Sequence, residues 1–183
     1  MSSILGEWSN LFSRTNHFFK QSDESYFLEA SLSSLLCSAA CATGAIAIAE
    51  AKVCKDEGPN CQSWNGRCDT VFGISPEHVV GIESKLHWLT KEWTKKQIEE
   101  GLKLAKNDAC NLADQVFGRT INDKVGILFG LFWSSNIPRT ESEESNLEQL
   151  IQQLEIGPDF FAISKTSEHN NCPRAFLIGK AAN

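Results

Sequence analysis

The sequence lacks the concentration of basic residues on which general nucleic-acid binding depends. Its 183 residues include 17 Lys and Arg against 23 Asp and Glu, giving a formal net charge of −6, and no basic run exceeds two residues. Proteins that bind nucleic acid non-specifically concentrate positive charge, because binding depends on the release of counterions from phosphates. We therefore expect neither nucleic-acid binding nor attachment to an anionic membrane surface.

Several catalytic and targeting motifs are also missing. The chain has no P-loop, no dinucleotide-binding glycine motif, no His-Glu-x-x-His and no Gly-x-Ser-x-Gly. It has no Asn-x-Ser/Thr acceptor, and its first residues lack the basic start of a secretory signal. These absences predict a cytoplasmic protein without a cofactor, whose cysteines are thiols or ligands rather than disulfides.

Hydrophobic periodicity predicts helices in the N-terminal half. Apolar residues recur at helical spacing from Ile4 to Phe19, so residues 1–22 are predicted to be an N-terminal amphipathic helix. Residues 23–183 are predicted to form a single helical domain. A second helix is expected after Asp23, and its uncharged stretch, residues 30–49, has two interpretations. It is either a central buried helix or a membrane span that tethers the protein.

The same spacing predicts helices in the rest of the chain. Ser75-Pro76-Glu77 resembles a helix start, and apolar residues follow in steps of three and four as far as about Phe117. Residues 120–133 and 147–154 predict two more helices, and the apolar runs at 160–163 and 175–178 predict short strands or helical turns. The predicted fold class is all-α: a compact bundle of about six helices with a cysteine-containing loop near residues 56–75.

Five of the seven cysteines lie between Cys37 and Cys68. Cys54, Cys61 and Cys68 are candidate metal ligands, but their spacing does not match the close pairs that structural zinc uses. The preferred interpretation is that no metal binds. Cys37 and Cys41 lie four apart on one helical face, which predicts packing in a buried helix, with a soft-metal or partner-thiol site as the alternative.

One segment near the C-terminus is a candidate for thiol catalysis. The residues from Thr166 to Cys172 resemble the Asn-Cys box of the lecithin-retinol-acyltransferase-like, permuted papain-type hydrolases. The resemblance implies that Cys172 is the nucleophile, with His78 as the base on an upstream strand, and His169 is a second nearby imidazole. The chain departs from the family at Pro173, where an acidic-His-aromatic run is expected.

The sequence favours a non-catalytic function. A full helical core without a convincing catalytic set predicts a protein-binding module of the immunity, adaptor or regulatory type. Its acidic charge would steer a partner protein with a basic surface towards it. Two alternatives remain: a thiol-dependent hydrolase or acyltransferase, and a membrane-tethered protein.

Overall fold

The structure, a computed structural model, describes residues 1–19, 29–53, 66–89, 95–132, 141–164 and 174–182. The described residues form four helices and eight strands. The helices are α1 (Ser2–Phe19), α2 (Glu29–Ala42), α3 (Lys95–Cys110) and α4 (Glu141–Gln152). The strands are β1 (Ile46–Val53), β2 (Gly66–Ser75), β3 (His78–Leu89), β4 (Gln115–Val116), β5 (Arg119–Thr120), β6 (Asp123–Phe132), β7 (Phe160–Ile163) and β8 (Arg174–Ala181).

Six strands form one mixed sheet in the order β1-β2-β3-β6-β8-β7. All neighbours are antiparallel except β3 and β6, which run parallel. Parallel neighbours need a long crossover connection, and α3 with the β4–β5 hairpin supplies it. The remaining two strands, β4 and β5, pair only with each other.

Helices cover both faces of the sheet and make three layers. Strand residues alternate between faces, so Ile127 and Phe129 belong to one buried cluster and Leu128 to another. The first cluster is formed with α1 and α2, and Trp8 of α1 stacks on Phe129 with ring centroids 6.0 Å apart. The second cluster is formed with α3 and α4. The N-terminal helix is therefore part of the main core.

The all-α prediction is wrong, because a six-stranded sheet lies at the centre of the molecule. Ser75-Pro76-Glu77 does not begin a helix but forms the turn between β2 and β3, and His78 is the first residue of a strand. Residues 120–133 were expected to be a buried helix, but 123–132 form β6. A strand covered on both faces is apolar at nearly every position, and that pattern also fits a helix that is buried on all sides.

Some other expectations hold. Helices occur where the sequence places α1, α3 and α4, and the two C-terminal apolar runs are the strands β7 and β8.

Two further predictions are wrong. The uncharged stretch, residues 30–49, is not a single helix, because it is divided between α2 and β1. The predicted loop near residues 56–75 includes β2, since 66–75 form a strand. Among the described residues, no helix combines the length and the apolar character needed to cross a membrane.

Candidate binding groove

Among the described residues, no helix covers one part of the sheet. On the face covered by α3 and α4, the strands β1 and β2 are flanked instead by the β4–β5 hairpin. Between the hairpin and these strands lies a groove of about 480 Å³. Its lining is mainly apolar and includes Ile46, Ile48, Val71, Ile74, Val116 and Phe117.

The strand β1 supplies the outer side of the groove. It begins after Gly44, whose φ of 91° allows the chain to leave α2 and turn into the sheet. Ile46 and Ile48 alternate with two alanines and face the groove, and 71% of Ile46 is exposed to solvent. Among the described strands, β1 lies at the end of the sheet order, so its outer backbone groups pair with no described strand. An edge strand without charged residues is open to pairing with another chain.

The regular pairing of the edge strand β1 is interrupted at Glu50. This residue has φ 54°, and the pairing of β1 with β2 passes over it, from Ala49↔Thr70 to Ala51↔Cys68. Ala47 packs on the α1–α2 side, whereas Ala51 belongs to the cluster of Val71 and its neighbours. The uncharged edge therefore extends only from Ile46 to Ala49.

The tip of the β4–β5 hairpin forms the opposite side of the groove. Val116 pairs with Arg119, and the two residues between them, Phe117 and Gly118, have φ values of 51° and 72°. Two successive positive φ values define a type I′ turn, which favours Asn-Gly. Phe117 is 59% exposed, so a bulky aromatic residue occupies both a strained conformation and an unfavourable solvent position. Retained strain of this kind points to a functional role.

The described lining of the groove includes one guanidinium group, that of Arg119. Arg119 is exposed, and its Nη1 donates a hydrogen bond to the carbonyl oxygen of Pro76 in the β2–β3 turn. This bond joins the hairpin to the turn. The nearby carboxylate of Glu77 accepts a hydrogen bond from Ser75 Oγ at 3.3 Å. Within the described ranges, no acidic side chain forms an ion pair with Arg119.

Two carboxylates, of Asp69 and Glu29, lie where β2 separates from β3. Asp69 Oδ2 accepts hydrogen bonds from the backbone N–H and the hydroxyl of Ser84, at 2.7 and 2.8 Å. Glu29 Oε2 accepts the backbone N–H of Leu86 at 2.9 Å. These carboxylates satisfy backbone donors of β3 beyond its last pair with β2. Burial raises the pKa of Glu29, and the negative charge of Asp69 raises it further.

His78 has a partner other than a thiol. Its Nε2 lies 2.8 Å from Oδ2 of Asp123, where the parallel strands β3 and β6 begin side by side. Among the described residues, the hydrogen-bond partner of His78 is therefore Asp123 and not a cysteine. Cys172 lies outside the described residues, so its pairing with His78 stays a prediction.

The metal candidates are not assembled in the described part of the chain. Cys68 is buried in β2, and its Sγ donates to the carbonyl oxygens of Thr70 and Ile82. Cys54, Cys61, His169 and Cys172 lie outside the described residues. No group of three or more His, Cys, Asp or Glu side chains within the described ranges could hold a metal ion.

The amino-acid sequence alone does not predict the groove, for identifiable reasons. The alternation of Ile and Ala from Ile46 to Ala49 has the period of a strand, but it ends a long uncharged run that also fits a helix. Phe117-Gly118 also fits the end of a helix, because glycine often follows one. Comparison with protein families, curated proteins and solved structures gives no match for this chain.

Proposed function

We propose that the chain is a non-catalytic protein-binding module whose groove accepts an extended segment of another protein. The observation that carries this proposal is the position of the apolar groove along an edge strand. A segment paired with β1 would form backbone hydrogen bonds with its outer edge. Alternate side chains of that segment would then enter the groove, as in other cases where a strand is added to a sheet.

The shape of the groove favours a peptide over a small molecule. Small-molecule sites enclose most of their ligand, whereas Ile46 and Phe117 leave this groove open to water. A peptide that spans the open side would cover both residues. Since full burial of such a side chain contributes about 1.5–3 kcal/mol, covering the exposed parts of both supplies about 2–4 kcal/mol before the costs of association.

The net charge of −6 supports a partner protein with a basic surface. Long-range attraction increases the rate of encounter more than the final affinity. The negative net charge also disfavours pairing of β1 with a second copy of this chain, because the two copies repel each other. A heterologous partner is therefore proposed.

Selection from a phage library of random dodecapeptides tests this proposal. Enriched peptides are synthesised with a fluorophore, and their dissociation constants are measured by anisotropy. We expect Ile48→Lys and Phe117→Asn each to weaken binding about tenfold or more. The matched control is Leu104→Lys, which changes an apolar residue of intermediate exposure (52%, against 41% for Ile48 and 59% for Phe117) on α3 outside the groove and should leave the affinity unchanged.

Phe117→Asn separates binding from folding. Asn-Gly is favoured in a type I′ turn, so this variant should unfold at the same or a higher urea concentration while losing affinity. The proposal is overturned if no peptide is enriched, or if enriched peptides bind the groove variants as tightly as the wild type. A wild-type dimer that Ile48→Lys makes monomeric would instead assign the edge to a second copy of the chain.

A further inference from the structure

We propose that the segment bound in the groove carries an aspartate or glutamate side chain that pairs with Arg119. This inference rests on the proposed function and specifies the chemistry of the partner. Arg119 lines the groove together with Gly73 and Ile46. A bound segment that covers Gly73 and Ile46 therefore passes beside the positive charge of Arg119.

The charges around Arg119 leave it available to a ligand. Two acidic side chains on adjoining segments are already paired: Glu50 of β1 with Arg67 at 3.1 Å, and Asp114, next to β4, with Lys124 at 2.8 Å. Glu77, in the adjacent turn, is hydrogen-bonded to Ser75. Arg119 therefore has no described carboxylate partner, although the protein is acidic as a whole.

The hydrogen bond to Pro76 orients the guanidinium without using all of its donors. An arginine side chain presents several N–H groups in a rigid plane that matches a carboxylate. One nitrogen is held by the Pro76 carbonyl, so the group is fixed before a ligand arrives.

A side-chain carboxylate fits this position better than a chain terminus. Arg119 belongs to the β4–β5 hairpin, which lies over the face of the main sheet and is not part of it. A segment added beside β1 keeps its backbone, and any terminal carboxylate, in the plane of the sheet. Its side chains instead point out of that plane, towards the face on which the hairpin lies.

The experiment uses peptides enriched by selection on the wild-type protein, synthesised with amidated C-termini. Each peptide is compared with versions in which its acidic residues are changed to the corresponding amide or to lysine. We expect the amide version to bind about fivefold more weakly, and this difference to disappear in Arg119→Gln. Addition of salt should reduce the difference in affinity between the acidic and amide peptides for the wild-type protein, because salt screens exposed charges.

A charge exchange separates recognition from a structural role of Arg119. In Arg119→Glu, the lysine version should bind more tightly than the acidic version, which a loss of hairpin structure alone would not produce. Peptides that depend on Ile48 but bind equally with acid, amide or lysine would overturn this inference and leave the proposed function intact. Failure to enrich any groove-dependent peptide would overturn both, and preference for a free C-terminal carboxylate would overturn the choice of a side chain.

Discussion

Gly126 of β6 lies directly beneath the backbone of Lys106 in α3. A Cβ atom at this position would overlap the backbone atoms of Ala105 and Lys106. The absence of a side chain therefore sets how closely α3 approaches the centre of the sheet. Because α3 belongs to the connection between the parallel strands β3 and β6, this contact fixes where the connection lies on the sheet. The β4–β5 hairpin follows α3 in the same connection, so the position of the groove depends on the contact between Gly126 and α3.

Gly126→Ala should destabilise the protein strongly. The new methyl group meets helix backbone rather than a movable side chain, so α3 must shift. Overpacking costs about 1–3 kcal/mol and occasionally more, and we expect a value at or above the upper end. The free energy of unfolding is measured by urea denaturation.

Gly6→Ala is the matched control for this substitution. Gly6 lies inside α1, and a Cβ there meets nothing within 4 Å. Alanine in a helix is favoured over glycine by about 0.5–1 kcal/mol, so Gly6→Ala should stabilise the protein. Equal effects of the two alanines would show that α3 does not pack on β6 as described.

Replacement of Glu50 tests the strain in the edge strand. A non-glycine residue at positive φ costs about 1–2 kcal/mol, whereas an exposed ion pair such as Glu50 with Arg67 contributes about 0–1 kcal/mol. Glu50→Gly should therefore be more stable than Glu50→Ala by about 1 kcal/mol, although both lose the carboxylate. Thermal unfolding of the two variants measures the difference, and a more stable alanine variant would contradict the positive φ.

The helices that could be predicted are those with one buried side. In α3, Ile98, Leu102 and Ala105 are buried while the charged residues face water, so the period of 3.6 residues is visible in the sequence. In β6, Ile127, Leu128 and Phe129 are all buried, on alternate faces. A strand between two helical layers shows no alternation, and the sequence alone does not distinguish it from a buried helix.

The candidate site was less predictable than the helices. The groove joins Ile46 to Phe117, and residues so far apart in the chain become neighbours only through the sheet. Local signals existed for each part, namely the alternation in β1 and the glycine after Phe117. The hydrogen bond from Arg119 to Pro76 had no local signal, because it depends on tertiary contacts.

The described cysteines should react with iodoacetamide in a fixed order. Cys41 and Cys110 are exposed, whereas Cys37 is partly buried, and burial raises its pKa. Burial raises the pKa of Cys68 to about 12. The thiolate is the reactive form, so Cys41 and Cys110 should be labelled first, Cys37 more slowly, and Cys68 only after unfolding.

Peptide mapping by mass spectrometry gives the order of labelling. The reaction in guanidinium chloride is the control, since all four thiols should then react at similar rates. Labelling of Cys68 in the native protein as fast as Cys41 would show that β2 is not buried at this position.

Glu29 should make folding less favourable as the pH rises. Its pKa in the folded state is raised, mainly by burial, so the unfolded chain loses the proton first. The free energy of unfolding should fall as the pH rises from the ordinary pKa of glutamate to the raised one, and stay lower above it. Glu29→Gln keeps an acceptor for the Leu86 N–H without this charge, so it should gain stability relative to the wild type over the same range.

Asp159 provides a comparison of opposite sign. Hydrogen bonds from Lys180 and from the backbone of Ala181 lower its pKa. The stability that its carboxylate contributes is therefore present above the ordinary aspartate pKa and is lost as the pH falls through the lowered one. Asp159→Asn should lose stability relative to the wild type as the pH rises. Urea denaturation of both variants across the acidic range should give differences from the wild type that change in opposite directions, and parallel changes would contradict the environment of at least one carboxylate.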